Sequence, residues 1–224
     1  MAKRLKLSER LLPDYTKGEE IMNMVTHIVG GGLGVIALML CMAKALLWGD
    51  GYDFAGALVY GISMITLYTM SSVYHGLHPG TGKKVMQVLD HCTIYFLIAG
   101  TYSIIALSAL REVNPWIGWG IFAFQWALTA LSVTLTAIDL KKYNVFSMIC
   151  YIFMGWCIIF FLPQVKAALT MSGFWWLLAG GIAYTIGAVL YGIGSKKRWM
   201  HSVFHIFVVL GSILQFVCII FYVL

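Results

Sequence analysis

Apolar runs of about 20 residues or more follow one another from near residue 21 almost to the last residue, separated by short polar breaks. A helix rises ~1.5 Å per residue, so ~20 apolar residues cover the ~30 Å hydrocarbon core of a bilayer. In that medium each backbone amide must find its partner within the chain, which leaves helices or closed barrels. Barrel strands alternate apolar and polar residues at period two, and these runs do not. The pattern therefore predicts helices over 21–46, 54–77, 87–110, 115–138, 145–163, 173–194 and 199–223. Turn formers fill several breaks: Gly49-Asp50-Gly51, Pro79-Gly80-Thr81-Gly82, Asn114-Pro115 and Ser172-Gly173. The expected architecture is an all-α bundle of seven transmembrane helices, with residues 1–20 as a polar N-terminal segment and 21–224 as one membrane domain. No short apolar core ending at a small-residue cleavage site opens the chain, so the first run is expected to be a retained helix.

Composition sharpens this picture. The chain is 61% hydrophobic and 11% charged, whereas a soluble domain is ~25% charged. The net charge of +6 would suggest nucleic acid in a soluble protein. Here the basic residues sit in short breaks and act as orientation signals. Lys3, Arg4, Lys6, Arg10, Lys17, Lys83, Lys84, Lys141, Lys142, Lys196, Lys197 and Arg198 fall on one side, and only Lys44, Arg111 and Lys166 on the other. This bias puts the N-terminus in the cytoplasm, and seven spans then put the C-terminus outside. Trp48, Trp116, Trp119, Trp175 and Trp176 lie near expected outer ends, Tyr143 and Trp199 near inner ends, as interfacial anchors do. Trp126 and Trp156 lie deeper and read as packing residues. Cys41, Cys92, Cys150, Cys157 and Cys218 are odd in number and irregular in spacing, so they read as small hydrophobes rather than a disulfide or metal framework. Gly30-Gly31-Gly32-x-Gly34 and Gly180-Gly181 follow no strand and read as close helix contacts, not phosphate cradles.

Ionisable residues inside spans are costly and mark function by default. His27 lies two turns into helix 1, His75 ends helix 2, Asp90 and His91 open helix 3, and His201 and His205 open helix 7. All fall at cytoplasmic helix ends. His201 and His205 are one turn apart on one face, so they can share a metal or simply be solvated at the interface. A third nitrogen from His75 would complete a three-histidine site with an open fourth position. Ser71 stands one turn before His75 and either serves that site or bonds its own helix carbonyl. Asp90 could orient a ligand or a water there. Glu20, Asn23 and His27 share one face of helix 1. His78 beside Pro79 reads as exposed, His91 as facing headgroups, and Glu19 as a solvated charge ahead of the helix.

At these residues the sequence resembles the haemolysin III family, the bacterial branch of the progestin and adipoQ receptor superfamily. The matching motifs are Glu20-x-x-Asn23-x-x-x-His27, Ser71-x-x-x-His75, Asp90-His91-Cys92-Thr93-Ile94-Tyr95 leading to Ala99-Gly100-Thr101-Tyr102, and His201-x-x-x-His205. The resemblance spans about residues 18 to 223. It implies a seven-helix bundle with the N-terminus inside and a zinc ion held by His75, His201 and His205. It further implies Asp90 as the partner of water at the zinc and Ser71 as a neighbouring hydroxyl. The eukaryotic relatives look like ceramidase-type lipid amide hydrolases that double as receptors. Their long cytoplasmic extension has no counterpart ahead of helix 1, which favours the bacterial branch and a multi-pass protein of the plasma membrane.

Three function classes follow. One is a zinc-dependent intramembrane hydrolase acting on a lipid amide or ester near the cytoplasmic leaflet, with Asp90 and Ser71 as catalytic residues. Another is a non-catalytic membrane regulator or sensor with a structural zinc. A pore or transporter ranks last, because transport needs polar groups through the full membrane depth and these cluster at one side.

Overall fold

The structure is a computed structural model that describes residues 7, 10–194 and 197–224. Lys3, Arg4, Lys6 and Lys196 of the charge pattern lie outside the described residues. Those described are almost wholly helical, without a strand. We number the helices α1 (Lys17–Trp48), α2 (Gly51–Gly76), α3 (Thr81–Ile104), α4 (Pro115–Ile138), α5 (Asn144–Trp156), α6 (Leu162–Gly194) and α7 (Met200–Cys218). α3 continues through a π-helical turn at Ile105–Leu110 to Val113, a 3-10 turn at Cys157–Phe161 joins α5 to α6, and α7 ends in a π-helical turn at Ile219–Val223.

Six helical stretches among the described residues are long and apolar enough to cross a membrane: Lys17–Trp48, Gly51–Gly76, Thr81–Val113, Pro115–Ile138, Asn144–Gly194 and Met200–Val223. The fifth is 51 residues long. It is broken inside α6 at Thr170, with φ 61° and ψ 170°. The expected break over 164–172 is therefore narrower than the sequence pattern indicates. Pro163 and Lys166 are helical, because proline is tolerated in a first turn where no amide partner is required.

Helices begin earlier than hydropathy predicts, at Lys17 rather than 21 and at Thr81 rather than 87. Their first turns are charged; a side-chain cap starts α1, whereas α3 starts after Gly80 with no side-chain cap. Thr16 and Glu19 form a capping box, with the Glu19 amide donating to Thr16 Oγ1 at 3.2 Å and the Thr16 amide donating to Glu19 Oε2 at 2.8 Å. Asp50 caps α2 by accepting from the amides of Tyr52 and Asp53 at 2.7 and 3.0 Å. Asn114 caps α4 with Pro115 at its first position.

Burial is reversed relative to a water-soluble bundle. α1 buries Asn23, His27, Gly30, Gly34, Ala37, Cys41 and Ala45. Its large apolar residues Ile28, Val29, Ile36 and Met39 are exposed. α4 likewise buries Gly118, Gln125, Thr129, Ser132 and Thr136. Small and polar residues face neighbouring helices while hydrocarbon faces outward, as a lipid solvent requires. α3 is central: 78% of its apolar window is buried, against 28–50% for the other spans. α1 packs on α2, α2 on α3 and α6 on α7, and α7 returns to α1. Gly30 permits one of these approaches, since a Cβ there would stand 2.4 Å from the Tyr68 ring. Gly34 and Gly180 are similarly packed, whereas Gly32 and Gly181 meet nothing within 4 Å. All five cysteines are free and buried, as small hydrophobes are. Trp126 and Trp156 donate to Ser103 and Thr185 hydroxyls inside the bundle, and Trp48, Trp116 and Trp175 are exposed.

Candidate metal centre

The start of α1, the end of α2, the start of α3 and the start of α7 meet at one end of the bundle. They bring His75, His201 and His205 together, all buried, with one nitrogen of each within 4.8 Å of the others. The i, i+4 spacing puts His201 and His205 on one face of α7, with their Nε2 atoms 3.1 Å apart. His75 reaches across from α2, its ring centroid 4.9 Å from that of His205 and 5.5 Å from that of His201.

Glu20 sets the orientation of His75. Its Oε2 lies 2.6 Å from His75 Nδ1, and Asn23 Nδ2 approaches the same nitrogen at 3.4 Å. With Nδ1 occupied by the carboxylate, Nε2 of His75 is left buried and without a hydrogen-bond partner. A buried orphan nitrogen is costly in isolation. With one nitrogen each of His201 and His205 close by, the trio is a group that could hold a metal ion. Glu20 is itself held by Lys83, whose Nζ lies 2.8 Å from Oε1. Lys83 also donates to the carbonyls of Leu77 and His75 at 3.0 and 3.4 Å, so it ties the end of α2 to the start of α3.

The other sequence candidates surround this trio. His27 stacks on His205 with centroids 3.8 Å apart and planes at 25°, so its nitrogens do not join the group. Both are buried without partners. Ser71 does not bond its helix carbonyl; its hydroxyl is buried and unpartnered. His27, Ser71, Asp90, His201 and His205 all line one cavity of about 350 Å³. The Asp90 carboxylate is mostly buried and lies 3.8 Å from His91 Nδ1. The cavity wall is otherwise mainly apolar, including Leu67, Ile94 and Phe204, and continues to Gln215. Gln215 is ten residues beyond His205 on α7, ~15 Å along the axis.

Two expectations change. His91 does not face outward: its Nδ1 lies 2.8 Å from the Gln87 carbonyl, its Nε2 lies 3.1 Å from the Tyr191 hydroxyl, and it lines the cavity. Glu19 is not a solvated charge but 2% exposed, accepting from the Trp199 amide at 2.6 Å. Both carry out local tasks, a helix-carbonyl bond and a cap, that hydropathy does not register. His78 is exposed, as expected. Three contributors have no sequence signal of their own: Tyr15, ahead of the first apolar run; Tyr191, inside one; and Lys83, which reads as an orientation charge. The i, i+7 spacing of Lys83 and Asp90 on α3 is the one hint that Lys83 shares the site's face. Tyr15 stacks on His201, centroids 4.9 Å apart and planes at 22°. Burial holds the Tyr15 hydroxyl well above the usual phenol range.

Known proteins are similar to this chain over most of its length. The family model described as haemolysin-III related matches residues 15–216. Hemolysin-3 of Bacillus cereus is 38% identical over 206 residues, 92% of this chain and 92% of the relative. The Hemolysin-3 homolog of Bacillus subtilis (strain 168) is 32% identical over 208 residues, 93% of this chain and 96% of the relative. The human monocyte to macrophage differentiation factor is 25% identical over 177 residues, 76% of this chain and 71% of the relative. The match runs from Tyr15 through His205 and so takes in every element that builds the histidine cluster: the chain is a membrane protein of the haemolysin-III-related family.

Proposed function

We propose that the protein is a zinc-dependent hydrolase of lipid amide or ester bonds, working at the cytoplasmic leaflet of the plasma membrane. The observation that carries the reading is the convergence of three buried imidazoles beside a largely apolar cavity that also receives Asp90 and Ser71. Two nitrogens ~2.0–2.1 Å from one zinc at the tetrahedral angle stand ~3.3 Å apart. The 3.1 Å between His201 Nε2 and His205 Nε2 is close to that spacing. An all-histidine set with one open position suits catalytic zinc.

His75, His201 and His205 would hold the ion. When bound, zinc supplies Lewis acidity and makes water acidic near neutral pH. Asp90 accepts a proton on its carboxylate and returns it to the leaving amine or alcohol. Ser71, with no bond of its own to keep, donates its hydroxyl hydrogen to the scissile carbonyl oxygen. The apolar wall running from the histidines to Gln215 receives an acyl chain and excludes water.

The orientation and span count belong to the same reading. A single helix of 51 residues would be ~76 Å long, more than twice the ~30 Å hydrocarbon core. The break at Thr170 supports two crossings there, hence seven in all, with the N-terminus inside by the lysine and arginine bias. Residues 1–20 are then the cytoplasmic segment of a single membrane domain.

Metal analysis of detergent-purified protein, combined with a lipid amide and ester hydrolysis screen, tests the proposal. Wild type is expected to carry one zinc per chain, His205→Ala none, and Asp90→Asn the full zinc with hydrolysis lowered at least ~100-fold. A metal-free wild type overturns the zinc reading. A zinc-loaded protein that hydrolyses no lipid leaves the regulator as the better account.

A further inference from the structure

Each imidazole of the cluster has a support. His75 has the Glu20 carboxylate at 2.6 Å, and His205 has the parallel ring of His27 at 3.8 Å. His201 has the ring of Tyr15, which belongs to no helix and comes from the segment ahead of α1. That ring also lies 5.8 Å from His75 at 52°. Tyr15 is absent from the cavity wall, so it meets the cluster from the side that an acyl chain would not use.

The segment carrying Tyr15 is clasped to the start of α7. Arg198 pairs with Asp14 Oδ2 at 2.9 Å, donates to the Asp14 carbonyl, and reaches Glu19 Oε2 at 3.4 Å. The other Glu19 oxygen accepts the Trp199 amide at 2.6 Å. Trp199 stands in the left-handed region at φ 66° and is the N-cap of α7, an unfavourable conformation for a bulky residue unless the surroundings impose it. Its indole rests against Gly18, where a Cβ would come within 3.1 Å. The same contacts therefore set the first turn of α7, which carries His201, and press Tyr15 onto that histidine.

We infer that Tyr15 is the positioning residue for His201 and the cover of the metal centre on its cytoplasmic side, held in place by the Asp14–Arg198 and Glu19–Trp199 contacts. This rests on the metal reading above. The aromatic face does the positioning: stacking fixes the plane of the imidazole, and the covering ring keeps water and soluble chelators from the ion. The hydroxyl is not required. The ion pair contributes less than the Glu19 bond, because Arg198 and Asp14 side chains are 53% and 94% exposed and such pairs are weak.

The test uses full-length protein loaded with zinc, and separately with cobalt(II) as a spectroscopic probe. Zinc loss to excess chelator is followed in time, and the visible spectrum of the cobalt form is recorded. Tyr15→Phe is expected to match wild type in both. Tyr15→Ala should start with full zinc, lose it about tenfold faster or more, and shift the cobalt spectrum. Arg198→Ala should accelerate loss only a few-fold. Unchanged exchange and spectrum in Tyr15→Ala would overturn the inference. So would a Tyr15→Phe variant as leaky as Tyr15→Ala, which would transfer the role to the hydroxyl. If Tyr15→Ala does not fold, Tyr15→Leu keeps the bulk without the aromatic face, and wild-type behaviour there is equally fatal. A wild type that takes up no metal defeats the zinc reading itself, whereas full uptake with unaltered exchange in the variants defeats only this inference.

Discussion

Glu20 Oε2 lies 2.6 Å from His75 Nδ1, between residues 55 positions apart in the chain. The contact leaves a histidine at the end of one helix with a defined free nitrogen. A carboxylate behind a metal-bound imidazole fixes its tautomer and raises its basicity, and losing such a partner costs ~10–100-fold in metal affinity. Glu20→Ala is therefore expected to weaken zinc binding by about that factor, read by competition with a chelator of known affinity, while leaving His201 and His205 in place. Lys83→Met leaves the Glu20–His75 bond but removes the buried cation beside it. Its main effect should be a lower unfolding temperature, because Lys83 also binds the carbonyls that end α2. Wild-type zinc affinity in Glu20→Ala would show that the carboxylate plays no part in setting the ligand.

At the opposite end of α2, Asp50 connects helix capping to pH. Its carboxyl is held below the usual carboxylate range, first by the hydrogen bond from the Asp53 amide, then by the Tyr52 amide and Arg111, against a desolvation that raises it. A group with a lowered native pKa stabilises above its unfolded value, near pH ~4, and that stability is lost as pH falls through the native value. Asp50→Ala should cost about 1 kcal/mol at neutral pH, the usual value of an N-cap, and less under strong acid. Asp50→Asn keeps a capping oxygen, so it should lose less and flatten this part of the pH dependence. Thermal unfolding in detergent at pH 7 and pH 3 decides the matter; equal losses in Asp50→Ala at both would rule the capping charge out.

Thr170 offers a prediction of the opposite sign. Its φ of 61° and ψ of 170° lie in backbone space that is essentially glycine's. Strain of this kind is worth ~1–3 kcal/mol, against ~0.5–1 kcal/mol for the added freedom of glycine when unfolded. The one side-chain bond at risk, from the Gly173 amide to Thr170 Oγ1, is long at 3.5 Å. Thr170→Gly should thus raise the unfolding midpoint by ~2–4 °C. A lowered midpoint would mean that the hydroxyl contact outweighs the strain.

Much of the site was legible in one dimension because its residues break a rule. Histidines and an aspartate in apolar runs stand out, and their recurrence at helix ends on one side gave a common depth. Turns at Gly49-Asp50-Gly51 and Asn114-Pro115 were legible for the same kind of reason, since proline, glycine and cap residues act locally. Lys83 and Glu19 were not legible: a charge beside an apolar run looks solvated until a partner from another helix is known. Nor was Tyr15, whose ring contributes through a stack formed across 186 positions of chain.

Runs of apolar residues, set against the ~30 Å bilayer core, were enough to determine that this chain is a bundle of membrane-spanning helices; that constraint acts along each segment and needs no partner. Which imidazole nitrogens share one space, that His27 stacks beside them instead of joining them, and that His91 turns inward to Tyr191 were decided only by tertiary packing. Helical periodicity gives a side chain its depth and face, but its lateral neighbours depend on how four helix ends dock, and docking is a property of all of them at once.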